Sequence, residues 1–500
     1  MGFFKAYDMR GTFGVDFDLD TVYKVGLALP KVVKGKRWLV GRDCRTTSDA
    51  VHDALVKGLS ESGAEVSDLG RCTTPMVYYF TALDGFDGSV MITASHNPPT
   101  DNGLKVSKAT ALPVGYANGL NEVEKLVNAS TASLDEEFKS RYSDTGEMTI
   151  DAMISKFKAM KASLQKGNVR PPAYSQRIAW ERYVAWHVQR CGDLSNLKFA
   201  VDCSNGMSGI FAEDVFPNAV LLNDEQNGKF PAHSPNPLKA EAREQIAKVV
   251  REKGLDCGVV FDGDADRAMF VDERGEFVQP DYLIPVVARA TFAALTTFNM
   301  PTQTLKRSNT QTLKHSNNSP KIIHDVRTSR GAIETLREDG FEPVMVPVGH
   351  AFAKPILREI GALCGGELAG HYYFSEFFGC DSGLLAATRI LGEVAKAKAA
   401  GKTFSEMMRP IVSRYANSGE LNFKVEDKDA AIGRVLAAAK TLGEETGRSE
   451  LDGIRVEYAD GWINVRKSNT EPYLRLLAEF REKDVLAKNV EVLTKAIEAK

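Results

Sequence analysis

Apolar residues along this chain follow two alternating rhythms. Short β-branched runs give way to stretches in which apolar positions recur three and four residues apart. Arg37-Trp-Leu-Val-Gly41 is such a run and predicts a strand. Ser48 to Ser62 then spaces Val51, Leu55, Val56 and Leu59 as one helical face. Strands are predicted again at residues 64–69 and 88–93, the second ending at a polar loop. After a predominantly helical stretch the order restarts, with strands at 197–202 and 255–261 around a helix at 240–253. A third restart runs through a strand at 321–326, a helix at 331–338 and a strand at 343–346. The C-terminal end differs. Ile454-Arg-Val-Glu-Tyr458 and Trp462-Ile-Asn-Val-Arg466 can pair across Ala459-Asp-Gly461, with a strand at 474–480 and a helix at 484–499 to follow. The fold class is α/β: three related mixed α/β domains plus a C-terminal α+β domain. The expected divisions are 1–160, 161–298, 299–412 and 413–500.

Length agrees with several domains, because 500 residues exceed what one hydrophobic core holds. Glycine (41) and proline (20) are too frequent for a coiled coil. Lys+Arg (63) nearly balance Asp+Glu (66), which argues against a broad grip on nucleic acid or a membrane surface. Seven scattered cysteines with no C-x-x-C pair fit a reducing compartment. Charge comes too early at the N-terminus for a secretory signal, and the apolar stretch 283–295 carries Arg289 and is too short to span a bilayer. A cytoplasmic protein is expected. The chain contains neither G-x-G nor a Walker A sequence, so dinucleotide and P-loop folds are disfavoured.

One segment stands apart. Gln303-Thr-Leu-Lys-Arg-Ser-Asn-Thr310 is echoed by Gln311-Thr-Leu-Lys-His-Ser-Asn-Asn318. Two polar octapeptides cannot build a solenoid, so 303–318 reads as a surface insertion in the third domain.

Four loops carry candidate chemistry. Asp262-Gly-Asp-Ala-Asp-Arg267 follows the apolar run 257–261. Three carboxylates at alternate positions repel one another unless a cation gathers them, and oxygen-only ligands suit Mg²⁺. An acidic surface turn is the plain alternative, but it rarely follows so apolar a strand. Thr93-Ala-Ser-His-Asn-Pro98 also follows an apolar strand, with Lys105 further on. Ser95 is a candidate nucleophile or phosphate carrier, with His96 to orient it and Lys105 for proton transfer or phosphate contact. An ordinary capped turn explains the same residues. Arg466-Lys-Ser468-Asn469-Thr470-Glu-Pro472 and Arg475 offer hydroxyls, an amide and two guanidiniums, which suits a phosphate. A helix cap at Asn469 or Thr470 is the alternative. Gly365-Gly-Glu367-Leu-Ala369-Gly-His371 offers a carboxylate beside glycines, as sugar hydroxyls require; a plain surface loop is the alternative, and a metal at Glu367 and His371 lacks a third ligand nearby. Arg10, Arg42, Arg45, His350 and Lys354 add weaker basic material.

In this order the loops, together with Tyr7-Asp-Met-Arg10-Gly11, resemble the α-D-phosphohexomutase superfamily, in its phosphomannomutase/phosphoglucomutase branch. The likeness spans nearly the whole chain. It implies four domains around a central cleft. It implies an intramolecular phosphotransferase, an isomerase of carbohydrate metabolism that interconverts hexose 6-phosphate and hexose 1-phosphate through a phosphoserine and a hexose 1,6-bisphosphate. It further implies Ser95, Asp262, Asp264 and Asp266 as ligands of one Mg²⁺ per chain. Ser95, His96, Lys105, Arg267 and His350 take catalytic roles by the same likeness. Arg10, Glu367, His371, Arg466, Ser468, Asn469, Thr470 and Arg475 bind substrate. The partners expected are small hexose phosphates, with the chain a monomer or weak homodimer and no organic cofactor.

Two positions bear on the branch. The sugar loop of such proteins usually has serine where this chain has Ala369, which leaves the preferred sugar open. Asn469 stands where the aminosugar branch usually has glycine, which favours mannose or glucose. A Mg²⁺-dependent phosphatase, another sugar-phosphate phosphotransferase and a non-catalytic sugar-phosphate-binding protein are the alternatives. None of them accounts for nucleophile, carboxylate cluster and distant phosphate cradle together.

Overall fold

A computed structural model describes residues 2–142, 147–149, 176–297, 319–468 and 472–499. The octapeptide repeat, Asn469 and Thr470 lie outside the described residues. The chain forms two compact units, Met1–Phe277 with Glu376–Ala395, and Val278–Ser375 with Lys396–Lys500.

The first unit holds two sheets. Strands β1 (Met9–Thr12), β2 (Arg37–Arg42), β3 (Glu65–Arg71), β4 (Gly88–Ile92), β5 (Asp101–Lys108) and β6 (Leu112–Pro113) make the first, in the order β1-β5-β4-β2-β3 with β6 on β5. Strand β2 runs parallel to β3 and β4, and β5 returns antiparallel to β4. Strands β7 (Phe199–Asp202), β8 (Val220–Leu222), β9 (Cys257–Phe261), β10 (Ala268–Asp272) and β11 (Phe277–Val278) make the second, in the order β11-β10-β9-β7-β8. Here β7 runs parallel to β8 and β9, and β10 returns antiparallel to β9.

The second unit repeats the plan. Strand β12 (Lys321–Asp325) runs parallel to β13 (Glu342–Val346) and β14 (Cys364–Gly366), and β15 (Tyr372–Phe374) returns antiparallel to β14. A short β16 (Cys380–Asp381) belongs to the first unit. The last sheet has β17 (Ala416–Asn417), β18 (Leu421–Phe423), β19 (Glu445–Ser449), β20 (Ile454–Tyr458), β21 (Gly461–Lys467) and β22 (Leu474–Phe480). Its order is β17-β22-β21-β20-β19, with β18 also on β22, and every pairing is antiparallel.

With β1 set aside, three sheets thus share one topology: a first strand (β2, β7 or β12) flanked by its two parallel successors, then an antiparallel fourth. In each, the turn from third to fourth strand carries one of the loops singled out above. Ser95 follows β4, the aspartates follow β9, and Glu367 follows β14. An antiparallel return makes this turn tight, so backbone and side chains from both strands meet in a small space.

Packing follows the apolar rhythm. Trp38, Val40, Val90 and Ile92 of the first sheet bury against Val22, Leu29, Val51 and Leu55 of the helices Leu19–Val32 and Ser48–Glu61. Each such side chain contributes about 1.5–3 kcal/mol when fully buried. Those helices cross backbone to backbone. A Cβ on Gly26 would come 2.5 Å from the Leu55 carbonyl oxygen, and one on Gly58 would come 2.2 Å from that of Tyr23. In the C-terminal domain Leu486, Leu493 and Ile497 of the helix Lys483–Glu498 pack on Val456, Ile463 and Leu476. All seven cysteines are free thiols, six of them buried. Among the described residues no helix is long and apolar enough to cross a membrane.

Candidate active site

The Ser95 turn is short and strained. Ser95 has φ 52°, the left-handed region that a serine adopts at a cost of about 1–3 kcal/mol. Its N–H donates to Thr93 Oγ1 at 2.8 Å. Its hydroxyl donates to Asp262 Oδ2 at 2.9 Å. His96 Nδ1 lies 3.1 Å from the same Oγ and is left to donate to it. Gly263 makes this meeting possible, because a Cβ there would lie 2.5 Å from the Ser95 carbonyl oxygen.

The three aspartates converge as their spacing requires. One oxygen from each of Asp262, Asp264 and Asp266 lies within 4.8 Å of the others, and all three residues are buried. Arg267 Nε pairs with Asp262 at 2.9 Å. Lys105, brought back by β5, places Nζ 2.7 Å from Asp264 and 2.6 Å from Asp266. Thr74 Oγ1 donates to Asp264 at 2.5 Å. Burial, then the charge of Asp266, pushes the Asp262 carboxyl up to about 7. Burial also disfavours the Asp264 anion, but Lys105 and Thr74 outweigh it and hold that carboxyl below its usual range. The two carboxylates raise Lys105 against its own burial. Asp264 Oδ1 is buried with no hydrogen-bond partner. An all-oxygen set with an unsatisfied buried carboxylate oxygen fits a small hard divalent cation.

Arg10 approaches the turn from β1, its guanidinium held by Asp8 at 2.6 Å and reaching Asn97 Oδ1 at 3.1 Å. The first unit therefore brings together Arg10, Ser95, His96, Lys105, Asp262, Asp264, Asp266 and Arg267.

The second unit assembles a separate group. Glu367 is buried, hydrogen-bonded by the Tyr373 hydroxyl, and lies 3.9 Å from Arg327. Burial raises its carboxyl. The turn is closed by Glu367 N–H to His371 O at 2.9 Å, and His371 lies 6.1 Å from His350, ring to ring. Arg466 and Arg475 share Glu420, at 3.2 Å each, and Arg327 reaches it at 3.4 Å. Burial disfavours the Glu420 anion, but the three guanidiniums outweigh it and hold that carboxyl below its usual range. Arg466 Nε is buried without an acceptor, a spare donor for an anion. Ser468 N–H donates to Tyr473 O at 3.0 Å.

Sequence reasoning passed over Thr74, Arg327 and Glu420. A signal existed for Arg327. It stands in Asp325-Val-Arg327 after the first strand of its sheet, as Arg45 stands in Asp43-Cys-Arg45.

Three repeated α/β sheets, each offering one loop from the same turn, and a small antiparallel domain carrying arginines define the phosphohexomutase class of enzyme. Comparison with known proteins agrees along the chain. The four phosphoglucomutase/phosphomannomutase family models match in order: alpha/beta/alpha domain I at residues 1–133, domain II at 181–275, domain III at 304–415 and the C-terminal domain at 420–496. A phosphomannomutase of Escherichia coli K12 is 31% identical over 488 residues, covering 96% of this chain and 94% of its own. One from Methanocaldococcus jannaschii is 32% identical over 498 residues, covering 99% and 97%. A crystal structure of a phosphoglucomutase/phosphomannomutase family protein from Burkholderia thailandensis superposes with TM-score 0.74 at 26% identity, covering 99% of this chain and 97% of that one. The chain belongs to the phosphoglucomutase/phosphomannomutase family.

Proposed function

We propose that this enzyme interconverts hexose 6-phosphate and hexose 1-phosphate, of mannose, glucose or both, with Ser95 as the phosphoryl carrier. The observation that carries the reading is the Ser95 hydroxyl, 2.9 Å from Asp262 in a buried cluster of three carboxylates and Lys105. In the first half-reaction the Ser95 Oγ–P bond breaks and a bond from phosphorus to a sugar hydroxyl oxygen forms, giving a hexose 1,6-bisphosphate. In the second, Ser95 Oγ takes the other phosphoryl group and the isomeric monophosphate leaves. In each half-reaction the attacking hydroxyl gives up a proton and the departing oxygen takes one up; His96 Nδ1, 3.1 Å from Ser95 Oγ, serves the serine oxygen, giving the proton as that oxygen departs and taking it back as it attacks.

Asp262, Asp264, Asp266 and the phosphorylated Ser95 would hold one Mg²⁺. When bound, the ion would screen phosphoryl charge and favour departure of the serine oxygen. Lys105 and Arg267 order the carboxylates and offer positive charge to the reacting phosphoryl. Arg10, held by Asp8 beside the serine turn, faces substrate in this reading. Glu367, His371 and His350 recognise sugar hydroxyls, with His350 also a candidate for proton transfer. Arg466, Ser468, Asn469, Thr470 and Arg475 hold the phosphate that is not reacting. A phosphatase would need no such second anion site. The reading divides the chain near residues 160, 298 and 412.

The test is intact mass of the purified chain after incubation with Mg²⁺ and glucose 1,6-bisphosphate. One added phosphate, about 80 Da, should be found on Ser95. Ser95→Ala should lose both the added mass and turnover of mannose and glucose 1-phosphates. Native turnover in pure Ser95→Ala protein would refute the reading.

A further inference from the structure

The strained Ser95 turn is wrapped around a buried guanidinium. Arg45 has no exposed side-chain surface. Its Nη2 donates to the carbonyl oxygens of Ser95 (2.9 Å) and Asn97 (2.7 Å), and its Nη1 to those of Pro98 (2.5 Å) and Asp101 (2.9 Å). Asp43 anchors the other edge at 3.2 Å. Four carbonyl oxygens pointing inward would repel one another without this cation, and only a planar fork meets all four. The remaining face is closed from the second sheet's domain. The Phe230 ring lies 5.1 Å from the guanidinium carbon, and its loop runs against the backbone of 44–46. A Cβ on Gly228 would come 2.5 Å from the Arg45 Cα. That loop is itself fastened by the His233–Asp202 pair at 3.1 Å and by Asn205.

The same device recurs in each repeated sheet. At or just past the end of the central parallel strand (β2, β7, β12) an aspartate accepts the N–H of the residue two places on: Asp43 from Arg45 at 3.0 Å, Asp202 from Ser204 at 2.8 Å, Asp325 from Arg327 at 2.7 Å. Each motif then reaches the functional loop of its own sheet. Arg45 holds Ser95. Ser204 Oγ donates to Phe261 O at 2.6 Å, the residue before Asp262. Asp325 accepts the Leu368 N–H at 3.0 Å, the residue after Glu367.

We propose that Arg45, sealed beneath Phe230, is a positioning residue that holds the Ser95 turn in its reactive geometry without touching the reacting atoms. Its donors all end on backbone oxygens, so it should set how fast the serine reacts and leave sugar recognition alone. The proposal rests on Ser95 being the phosphoryl carrier.

The experiment uses the full chain with Mg²⁺, glucose 1,6-bisphosphate and glucose 1-phosphate. Arg45→Lys and Phe230→Leu are compared with the native enzyme and Ser95→Ala for kcat, KM and melting temperature. Arg45→Lys keeps the charge but cannot reach four carbonyls. It should lower kcat at least tenfold with KM within about twofold. Phe230→Leu should lower kcat severalfold with KM unchanged. A folded Arg45→Lys with native kcat, or a loss confined to KM, overturns the proposal. If Arg45→Lys fails to fold, Phe230→Leu decides, and native kcat there overturns it. Native turnover in Ser95→Ala would instead strike the carrier assignment itself.

Discussion

Lys105 and Asp264 form a buried ion pair of 2.7 Å, although they come from different sheets. Strand β5 returns antiparallel from the Ser95 turn, so Lys105 lies across from Met91 and reaches the same aspartate loop that the Ser95 hydroxyl meets. A parallel successor would have carried the lysine away. The pair therefore ties the turn of one sheet to the turn of another, and joins Ser95 and the aspartates into one electrostatic unit.

Lys105→Met should expose the cost of that unit. Removing one partner of a buried pair leaves uncompensated charge and costs about 3–5 kcal/mol. Asp264 and Asp266 would both lose the ammonium, while Arg267 stands 3.8 Å from Asp266. We expect the melting temperature to fall by several degrees in chelator, and Mg²⁺ to restore more of it than in the native protein. Melting curves with and without Mg²⁺ test this. An unchanged melt in chelator would show that the carboxylates do not depend on Lys105.

Arg327→Met should act on binding. Arg327 connects Asp325, Glu420 and the neighbourhood of Glu367. Its loss frees Glu420 to hold Arg466 and Arg475 more tightly and removes the link to the sugar loop. A charge-assisted hydrogen bond is worth about 1.5–3 kcal/mol, or roughly ten- to a hundredfold. We expect KM for mannose and glucose 1-phosphates to rise by about that factor, with a smaller change in kcat. Initial-rate curves over a wide substrate range separate the two, and a pure kcat loss would contradict the assignment.

The contrast between these residues shows what the sequence carries openly. Ser95 and the aspartates sit in polar loops directly after apolar strands, where binding groups gather in α/β sheets, and Glu367 is marked by the glycines around it. The helix at 48–61 and the hairpin at 454–467 were legible because one face of each is apolar and its ends are polar. Strand β5 was not legible. Its Asn102 and Lys105 are polar yet buried, because Thr47 and Ser48 satisfy the first and Asp264 and Asp266 the second, so no alternation shows. Glu420 was hidden for a related reason. Its role comes from arginines 46 and 55 residues away in the chain, or in another domain, and no local pattern marks it.

Asp281 should give the enzyme a pH-dependent stability. It accepts the Ser329 N–H at 2.8 Å, its other oxygen is buried without a partner, and burial with the charge of Glu479 pushes its carboxyl up to about 7. An unfolded aspartate titrates near ~3.9. Between these values the folded chain holds a proton that the unfolded chain has lost. This group's contribution therefore falls as pH rises from about 4 to 7, and is constant above that. The full effect is about 4 kcal/mol. Asp281→Asn keeps the neutral shape and should remove it. We expect the variant to melt a few degrees above the native protein at pH 8 and at the same temperature or lower at pH 5. A difference that does not change with pH would mean that Asp281 does not titrate in this range.

Ala369→Ser tests how the sugar is read. Ala369 lies in the turn closed by Glu367 O and Gly370 N at 3.0 Å, and is only half-buried. Gly370 takes φ 87° to close it, so the backbone there is set by the glycine and not by residue 369. One added oxygen at a half-buried position should leave the melting temperature unchanged within about a degree, since such substitutions stay within about 0.5 kcal/mol. Its effect on recognition should be larger. The neighbouring Glu367 carboxylate is already engaged by Tyr373, and a serine hydroxyl would add a donor and acceptor of its own. A neutral hydrogen bond made to one sugar epimer and not the other is worth about 0.5–1.5 kcal/mol. We therefore expect the ratio of kcat/KM for mannose 1-phosphate to that for glucose 1-phosphate to change by about two- to tenfold. The measurement is that ratio in native and Ala369→Ser enzymes under identical Mg²⁺ and bisphosphate. A constant ratio with altered absolute rates would place residue 369 against a hydroxyl common to both sugars. Discrimination would then rest with Glu367 and His371.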